Sequence, residues 1–428
     1  MTNAYDVIII GAGMVGATIA CGLAPSQLKV AIVDPVAPPD FVAGEQPHIR
    51  VSALSYASEQ ILRNVGAWKF LEQTRICPYR HLAVNELPAK DGIAAVLPDI
   101  STWARTRFSA SDIGQEHLGH IAENDLIQHS LHQAMAEHGN IDIQCPQRVA
   151  SMDLDGPSKQ VTLEDGSVLS APLIIGADGA RSQVRAEASI GQYKEQYEQH
   201  AFVATVTYSG SAQDITWQSF TEHGPLAFLP LAGKVNGGPD DSRDRHYGSL
   251  VWYDYAGSID KLSGLSTTEL RKVIQAAYPA TLPPLVEVHQ TARFPLFKSH
   301  ANQYVKPGIA LVGDAAHTIN PLAGQGVNLG LMDAAVLVET ISKALVSGSD
   351  HFSIELLRSY EKKRRIANAS MMSIMDAFYY GFENKHLPVR VARNLGLGLA
   401  QRLGFAKNKV MKYATGVSGD LPRLAKPA

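Results

Sequence analysis

LVGDAAHTINPLAGQGVNLG, residues 311–330, is the stretch around which the rest of the chain can be understood. The apolar run 309–312 predicts a short buried strand that ends at Gly313. Asp314 comes next, where its carboxylate can accept hydrogen bonds from the hydroxyls of a polyol. A glycine-containing loop then leads into a helix from about Val327. Because a helix N-terminus presents free N–H groups and a positive dipole end, the stretch predicts a site for a polar, partly anionic ligand.

A second glycine motif stands at the start of the chain. The apolar run 6–10 predicts a buried parallel strand, and GAGMVG follows it directly. Gly11 permits the tight turn, Gly13 lets a pyrophosphate approach the backbone, and Gly16 lets helix and strand pack closely. A second apolar strand ends at Asp34, near the spacing of about 20 residues expected for a ribose-binding acid. Together these features predict a dinucleotide site for an unphosphorylated ribose, as in FAD or NAD.

A third motif, GADGARSQVR, follows the apolar run 173–175. Its Asp178 stands between glycines at a strand end, a placement that suits a phosphate or ribose contact. Arg50 is predicted to open a helix with residues 51–54, where its charge would oppose the helix dipole. A contact with a cofactor or phosphate and a solvated surface position are both open for Arg50.

Composition bounds the function. The chain has 428 residues, 45% hydrophobic and 18% charged, with a net charge of −3, which indicates a soluble protein of two or three domains and argues against a nucleic-acid binder. The start lacks a signal peptide, and no apolar run is long enough to span a bilayer. These features, and the lack of a disulfide spacing among the cysteines, favour a cytoplasmic location.

No metal site is predicted. The three cysteines are far apart and have neither disulfide nor metal-ligand spacing: Cys21, Cys77 and Cys145. The scattered histidines of one predicted helix are expected at the surface: His129, His132 and His138.

The middle of the chain predicts a substrate domain built on a sheet of five or more strands. Its strand segments are residues 201–207, 216–220, 227–231, 249–254 and 286–294. Residues 233–247 are polar and glycine-rich and are predicted to form a mobile loop. The basic tail, with Leu395, Leu399 and Leu403 on one helical face, favours a helix packed on the core, with contact to a membrane surface as the alternative.

The three glycine motifs, in this order, resemble those of the flavin-dependent aromatic hydroxylases of the para-hydroxybenzoate hydroxylase fold. Within that group, residues 50–53, 313–330 and 375–401 resemble the ubiquinone-biosynthesis hydroxylases, and the resemblance covers nearly the whole chain. Asp34 departs from the pattern, since the family often has the longer Glu there.

The resemblance implies an α/β fold with a discontinuous Rossmann-like FAD-binding domain, a mixed β-sheet substrate domain and a C-terminal helical region. The FAD-binding domain would comprise residues 1–72, 118–185 and 303–345. The substrate domain would comprise residues 73–117 and 186–302, and the helical region residues 346–428.

The resemblance also implies roles for single residues. Gly11, Gly13, Gly16 and Asp34 would hold the ADP half of FAD, Asp178 would lie near the pyrophosphate, and Asp314 would bind the ribitol. The isoalloxazine would be lined by Pro321, Gly324, Gln325, Gly326 and Asn328. No catalytic residue is assigned, because the flavin does the chemistry; His317 and Pro321 are candidates, and a structural role is favoured for His317.

The implied activity is hydroxylation of the aromatic ring of a polyprenyl quinol by a C4a-hydroperoxyflavin, with NAD(P)H and O₂ as co-substrates. A ubiquinone-biosynthesis protein complex and a peripheral contact at the inner membrane surface are the implied partners. A disulfide reductase would need a redox cysteine pair, which the spacing excludes. An amine or hydroxy-acid oxidase and a non-catalytic FAD-fold scaffold remain as alternatives.

Overall fold

The computed structural model describes residues 2–38, 41–42, 44–86, 106–221, 223–234, 244–278, 282–320, 326–383, 407–409, 411–412 and 415–427. Strands and helices are numbered here in chain order. The helices of this part of the chain are α1 (Met14–Leu23), α2 (Tyr56–Asn64), α3 (Trp68–Glu72), α4 (Asn124–Ala136), α5 (Gln183–Glu187), α6 (Ala256–Ser263), α7 (Thr267–Ala277), α8 (Gly326–Ser347) and α9 (Ile354–Glu383). None of these described helices combines the length and apolar character that crossing a bilayer requires.

A largely parallel sheet lies at the centre of the main core. Its described strands run in the order β19 (Val305–Lys306), β20 (Ile309–Leu311), β13 (Leu173–Gly176), β2 (Val7–Ile10), β3 (Val30–Val33) and β9 (Ile141–Gln144). All neighbours pair in parallel except β19 with β20. Every residue of β2, β3 and β13 is buried, as expected for a parallel sheet covered on both faces. Since the carboxyl ends of parallel strands share one edge, the three predicted motifs and Asp34 meet at that edge.

The predicted sheet of five or more strands is present in the middle of the chain. Its described strands run in the order β21 (His317–Thr318), β18 (Leu285–Ala301), β14 (Gln192–Ser209), β17 (Arg245–Tyr255), β16 (Pro225–Lys234), β15 (Ile215–Phe220), β6 (His81–Glu86) and β7 (Thr106–Ser109). Helices α6 and α7 pack on it over a second core that includes Phe202, Phe228 and Ile274. The predicted loop 233–247 overlaps β16 and β17 at its ends, and residues 235–243 lie outside the described part.

Two smaller sheets complete the described β-structure. One has the order β1 (Thr2–Ala4), β12 (Val168–Ala171), β11 (Lys159–Leu163) and β10 (Val149–Asp153). The other has the order β4 (Val51–Ser55), β8 (Gly119–Glu123) and β5 (Cys77–Tyr79). The division of the chain into the three regions given above stays a prediction.

The predicted helix over residues 51–54 was wrong. These residues belong to β4, which pairs antiparallel with β8 and buries alternate side chains. The helix α2 begins only at Tyr56, where Ser55 is the N-cap and its Oγ accepts a hydrogen bond from the N–H of Ser58. Arg50 therefore does not open a helix, and the argument from an opposed dipole does not apply to it.

The prediction that the histidines of α4 lie at the surface was wrong for His132. This side chain is buried on the face of α4 that packs against α1. The apolar positions Leu131 and Met135 share its surroundings in the main core. His132 is tolerated there because its ring nitrogen has a backbone partner, described below.

Candidate functional site

The glycine loop of residues 11–16 packs directly against the loop that follows β13. Gly11 has a φ of 105°, a value that favours glycine. A Cβ placed on Gly11 would lie 2.4 Å from the carbonyl oxygen of Ala177, which follows β13. A Cβ on Gly16 would lie 1.9 Å from the carbonyl oxygen of Gly11. Glycine is thus required at both positions to bring the loop, the helix α1 and the second motif together.

The peptide group of Ala12 is held from both sides. Its N–H donates to Asp34 Oδ2 at 2.7 Å, so the acid that ends β3 fixes the glycine loop. Its carbonyl oxygen lies 2.9 Å from His132 Nε2 and 3.3 Å from Gln128 Nε2, both on α4. This contribution from α4 was not predicted, and its one signal in the sequence is that the two residues stand four apart and so share one helical face.

Arg185 connects the motif of residues 176–185 with the stretch 311–330. Its guanidinium is buried and donates to the carbonyl oxygen of Ala315 at 2.7 Å and to that of Ala180 at 2.9 Å. Asp178 Oδ2 accepts hydrogen bonds from the N–H groups of Gln183 and Val184. Burial raises the pKa of Asp178 although these hydrogen bonds oppose the rise.

Asp314 lies at the carboxyl edge of the parallel sheet, and its carboxylate is free. It follows Gly313, whose φ of 56° turns the chain at the strand end. The side chain is exposed, and no hydrogen bond from another described residue reaches its carboxylate. The surrounding protein nevertheless raises the pKa of Asp314, while the charges of His317 and Arg50 act in the opposite direction. An exposed carboxylate crowded by protein is the condition of a group inside a cleft, and Arg50 stands close enough to influence it.

The start of α8 is anchored to β4 and α2. Asn328 Oδ1 accepts from Ser55 N at 2.9 Å and Ser58 Oγ at 2.7 Å, and its Nδ2 donates to Ala53 O at 2.9 Å. The Asn328 amide is therefore used within the protein, and it fixes the helix end rather than standing free. A Cβ on Gly330 would lie 2.6 Å from Val15, so α8 also packs tightly on α1.

His317 lies in a buried ionic network rather than in open space. Its Nε2 is 2.5 Å from Asp333 Oδ2, which also accepts from the N–H of Gly313 at 3.1 Å. Asp333 Oδ1 accepts from Arg364 Nε at 2.6 Å and from Asn368 Nδ2 at 3.0 Å. Burial alone would raise the pKa of Asp333, but His317 and Arg364 lower it below its usual range.

The residues at the carboxyl edge of the parallel sheet fit a flavin dinucleotide. A Cβ on Gly13 or on Gly326 would meet nothing within 4 Å, so both positions leave room for a ligand. Asp178 Oδ1 and both amide atoms of Asn320 are buried without a hydrogen-bond partner, which is costly unless a further group satisfies them. Asp314, which follows β20 at the same edge of the sheet, supplies a further acceptor. The predicted residues Pro321, Gly324 and Gln325 lie outside the described part of the chain.

Comparison with known proteins decides the family. The family described as FAD binding domain (FAD_binding_3) matches residues 4–374. The chain belongs to this FAD-binding family. Its relatives within the family include 3-demethoxyubiquinol 3-hydroxylase of Escherichia coli (strain K12), which is 38% identical over 97% of this chain and 100% of the relative. Ubiquinone hydroxylase UbiL of Rhodospirillum rubrum is 32% identical over 98% of this chain and 92% of its own length.

A solved structure agrees on the fold. p-Nitrophenol 4-monooxygenase PnpA from Pseudomonas putida DLL-E4 superposes with a TM-score of 0.73 over 98% of this chain and 100% of that one, at 16% sequence identity. At that identity the likeness concerns the fold alone. It agrees with the predicted α/β fold class.

Proposed function

We propose that this protein is an FAD-dependent monooxygenase that hydroxylates the aromatic ring of a polyprenyl quinol in ubiquinone biosynthesis, using NAD(P)H and O₂. The observation that carries the proposal is the 38% identity to a demethoxyubiquinol hydroxylase, which extends over the full length of that relative. Likeness of that extent includes the large sheet as well as the glycine motifs. A demethoxyquinol is therefore the substrate class that we favour.

The residues at the carboxyl edge have distinct roles in this proposal. Gly11, Gly13 and Gly16 shape the loop for the pyrophosphate, and Asp34 and Asp178 hold the neighbouring backbone in place. Asp314 accepts hydrogen bonds from the ribityl hydroxyls, with Arg50 nearby. The N-terminus of α8, with Gly326 and Asn328, offers N–H groups and a positive dipole end to the negatively charged edge of a reduced flavin. When bound, FAD supplies the hydride acceptor and the oxygen activation that no side chain can provide.

The large sheet provides the remaining walls of the site. Strand β21 joins β18 through the pairs Ser299 with Thr318 and His300 with His317, so the sheet adjoins the loop before α8. The chain must exclude water at this junction, because water would divert activated oxygen from the ring. The burial of His317 against Asp333 supports a structural role for this histidine, and we assign no catalytic base.

Two further partners belong to the proposal. The chain between residues 383 and 420 contains many lysines and arginines and no acid, which suits contact with an anionic lipid surface, as the substrate's apolar tail would require. Assembly with other ubiquinone-biosynthesis proteins is the second. Most of this basic segment lies outside the described residues, so its sequence alone supports these two points.

The proposal is tested by identifying the quinone intermediate that accumulates when the protein is missing. A strain that lacks it should accumulate a quinone without one ring oxygen, and the intact protein, but not Gly13→Val, should restore the product. If the intact protein and Gly13→Val both restored the product, a non-catalytic scaffold would be favoured. A flavin absorbance of the purified protein that NAD(P)H does not bleach would favour the same alternative. An oxidase would instead form peroxide without hydroxylating the ring.

A further inference from the structure

Three side chains with metal-binding atoms lie together between α2 and β8. Glu59 is on α2, His120 is on β8, and His117 precedes that strand by two residues. Sequence spacing did not reveal the group, because the glutamate is far along the chain from the histidines. None of the three residues belongs to the glycine motifs, and the proposed reaction does not use them.

The geometry places one oxygen and two nitrogens around a common point. Glu59 Oε2 is 2.7 Å from His117 Nε2 and 3.2 Å from His120 Nδ1, and the three atoms all lie within 4.8 Å of one another. His120 Nδ1 is buried and has no hydrogen-bond partner, although it faces the carboxylate. A buried nitrogen in that condition is costly unless something else satisfies it.

The surroundings suit ligation. Arg63 Nε donates to the other carboxylate oxygen, Glu59 Oε1, at 2.9 Å, and hydrogen bonds of this kind orient carboxylates that bind metals. The ring of Trp68 packs edge-on against His120 with centroids 4.9 Å apart, which fixes the imidazole. The guanidinium charge opposes a cation, so binding should be weaker than at a closed structural zinc site.

We propose that Glu59, His117 and His120 bind one Zn²⁺ ion, with the fourth position left to water on the side of His117. That side chain is 19% exposed, against 3% for Glu59 and 8% for His120, so it provides the entry path. An oxygen and two imidazole nitrogens form a donor set that Zn²⁺ uses with a water as the fourth ligand. The ion would join α2 to β8, and α2 in turn holds Asn328 at the start of α8.

The test uses untagged holoenzyme, treated with a chelator and dialysed, and titrated with ZnCl₂ by calorimetry. The wild-type protein should bind one Zn²⁺ per chain, and the ion should raise its thermal midpoint because it binds only the folded state. His117→Gln should lose both effects and keep its flavin absorbance. The control His138→Gln, which alters a histidine at the end of α4, should retain both.

A second measurement does not depend on any variant. Co²⁺ added to the chelator-treated wild-type protein should give the visible absorption of a four-coordinate site, and Zn²⁺ should abolish it. The proposal is overturned if the wild-type protein shows neither binding heat nor this absorption, or if His117→Gln binds Zn²⁺ as well as the wild type does.

Discussion

Gly13 and Gly16 belong to the same motif and have opposite surroundings. A Cβ on Gly16 would collide with the carbonyl oxygen of Gly11 at 1.9 Å, whereas a Cβ on Gly13 would meet nothing within 4 Å. Gly13 also has a φ of −68°, which any residue can adopt. Nothing in the protein itself requires glycine at position 13, so we attribute that glycine to the ligand and the glycine at position 16 to packing.

Gly13→Val should therefore abolish FAD binding and leave the chain folded. The added side chain would fill the space that the pyrophosphate needs, without a clash inside the protein. Flavin absorbance and far-ultraviolet circular dichroism measure the two effects separately. Gly16→Val is the matched comparison, and it should lose the fold as well as the flavin. Normal flavin content in Gly13→Val would place the phosphates elsewhere.

Asp314→Ala should weaken FAD binding by roughly 1–3 kcal/mol, the cost of leaving the ribityl hydroxyls without their acceptor in the complex. The physical reason is that Asp314 is the free carboxylate acceptor at the end of β20. The dissociation constant of FAD, measured by fluorescence titration, tests this. Asp155→Ala, in an exposed turn, is the control and should leave the constant unchanged. An unchanged constant for Asp314→Ala would remove this residue as the ribityl ligand.

The helices α8 and α9 meet through one fully buried carboxylate. Asp333 on α8 pairs with Arg364 and Asn368 on α9 and with His317 of β21. It also accepts the N–H of Gly313, so the loop that carries Asp314 depends on it. The contact between two helices thus positions the glycine-containing stretch 311–330.

Asp333→Asn should lower the free energy of unfolding by about 3–5 kcal/mol, because it leaves Arg364 charged and buried without its partner. Urea denaturation of the holoenzyme measures the change. Glu339→Gln is a control on the same helix: Glu339 pairs with the exposed Lys343, and its loss should cost less than about 1 kcal/mol. Similar costs for the two variants would show that the buried network does not stabilise the fold.

His300 gives the stability a pH dependence of known sign. Burial, and then the charges of His317 and Arg365, lower the pKa of His300 from 6.5 to about 4. Between these pH values the unfolded chain binds a proton that the folded chain excludes, so the free energy of unfolding should fall as the pH drops from 6.5 to 4. Urea denaturation across this range should show a smaller fall for His300→Asn than for the wild type. An equal fall in both proteins would exclude His300 as the cause.

The sequence predicted the parts of this fold that have a local signal. Apolar runs ending in glycine identified the strands of the central sheet, because buried parallel strands have that pattern. Residues 51–54 of β4 were mistaken for a helix start, since so short a strand has little periodicity of its own. Asp333 and His132 could not be recognised, because an acid or a histidine within a helix usually faces solvent. Their partners come from distant segments that only the fold brings together.

Strand β21 and helix α9 both join the large sheet to the parallel sheet of the main core. Strand β21 pairs with β18 directly before the loop that leads to α8. On α9, Asp376 accepts hydrogen bonds from Lys298 Nζ at 2.7 Å and from the Tyr197 hydroxyl at 2.6 Å, and so binds the large sheet. The same helix holds Asp333 through Arg364. A substrate bound against the large sheet would therefore be fixed relative to the cofactor edge.

Oxygen and product accounting during turnover tests the proposed function of the whole molecule most directly. The holoenzyme is supplied with NAD(P)H and either a short-tailed demethoxyquinol or para-hydroxybenzoate, and the O₂ consumed is compared with the hydroxylated product formed. We predict tight coupling for the quinol, with one ring hydroxyl gained for each NAD(P)H used, and poor coupling for the benzoate. Equal coupled turnover of both, or turnover of the benzoate alone, would contradict the assignment to a polyprenyl quinol.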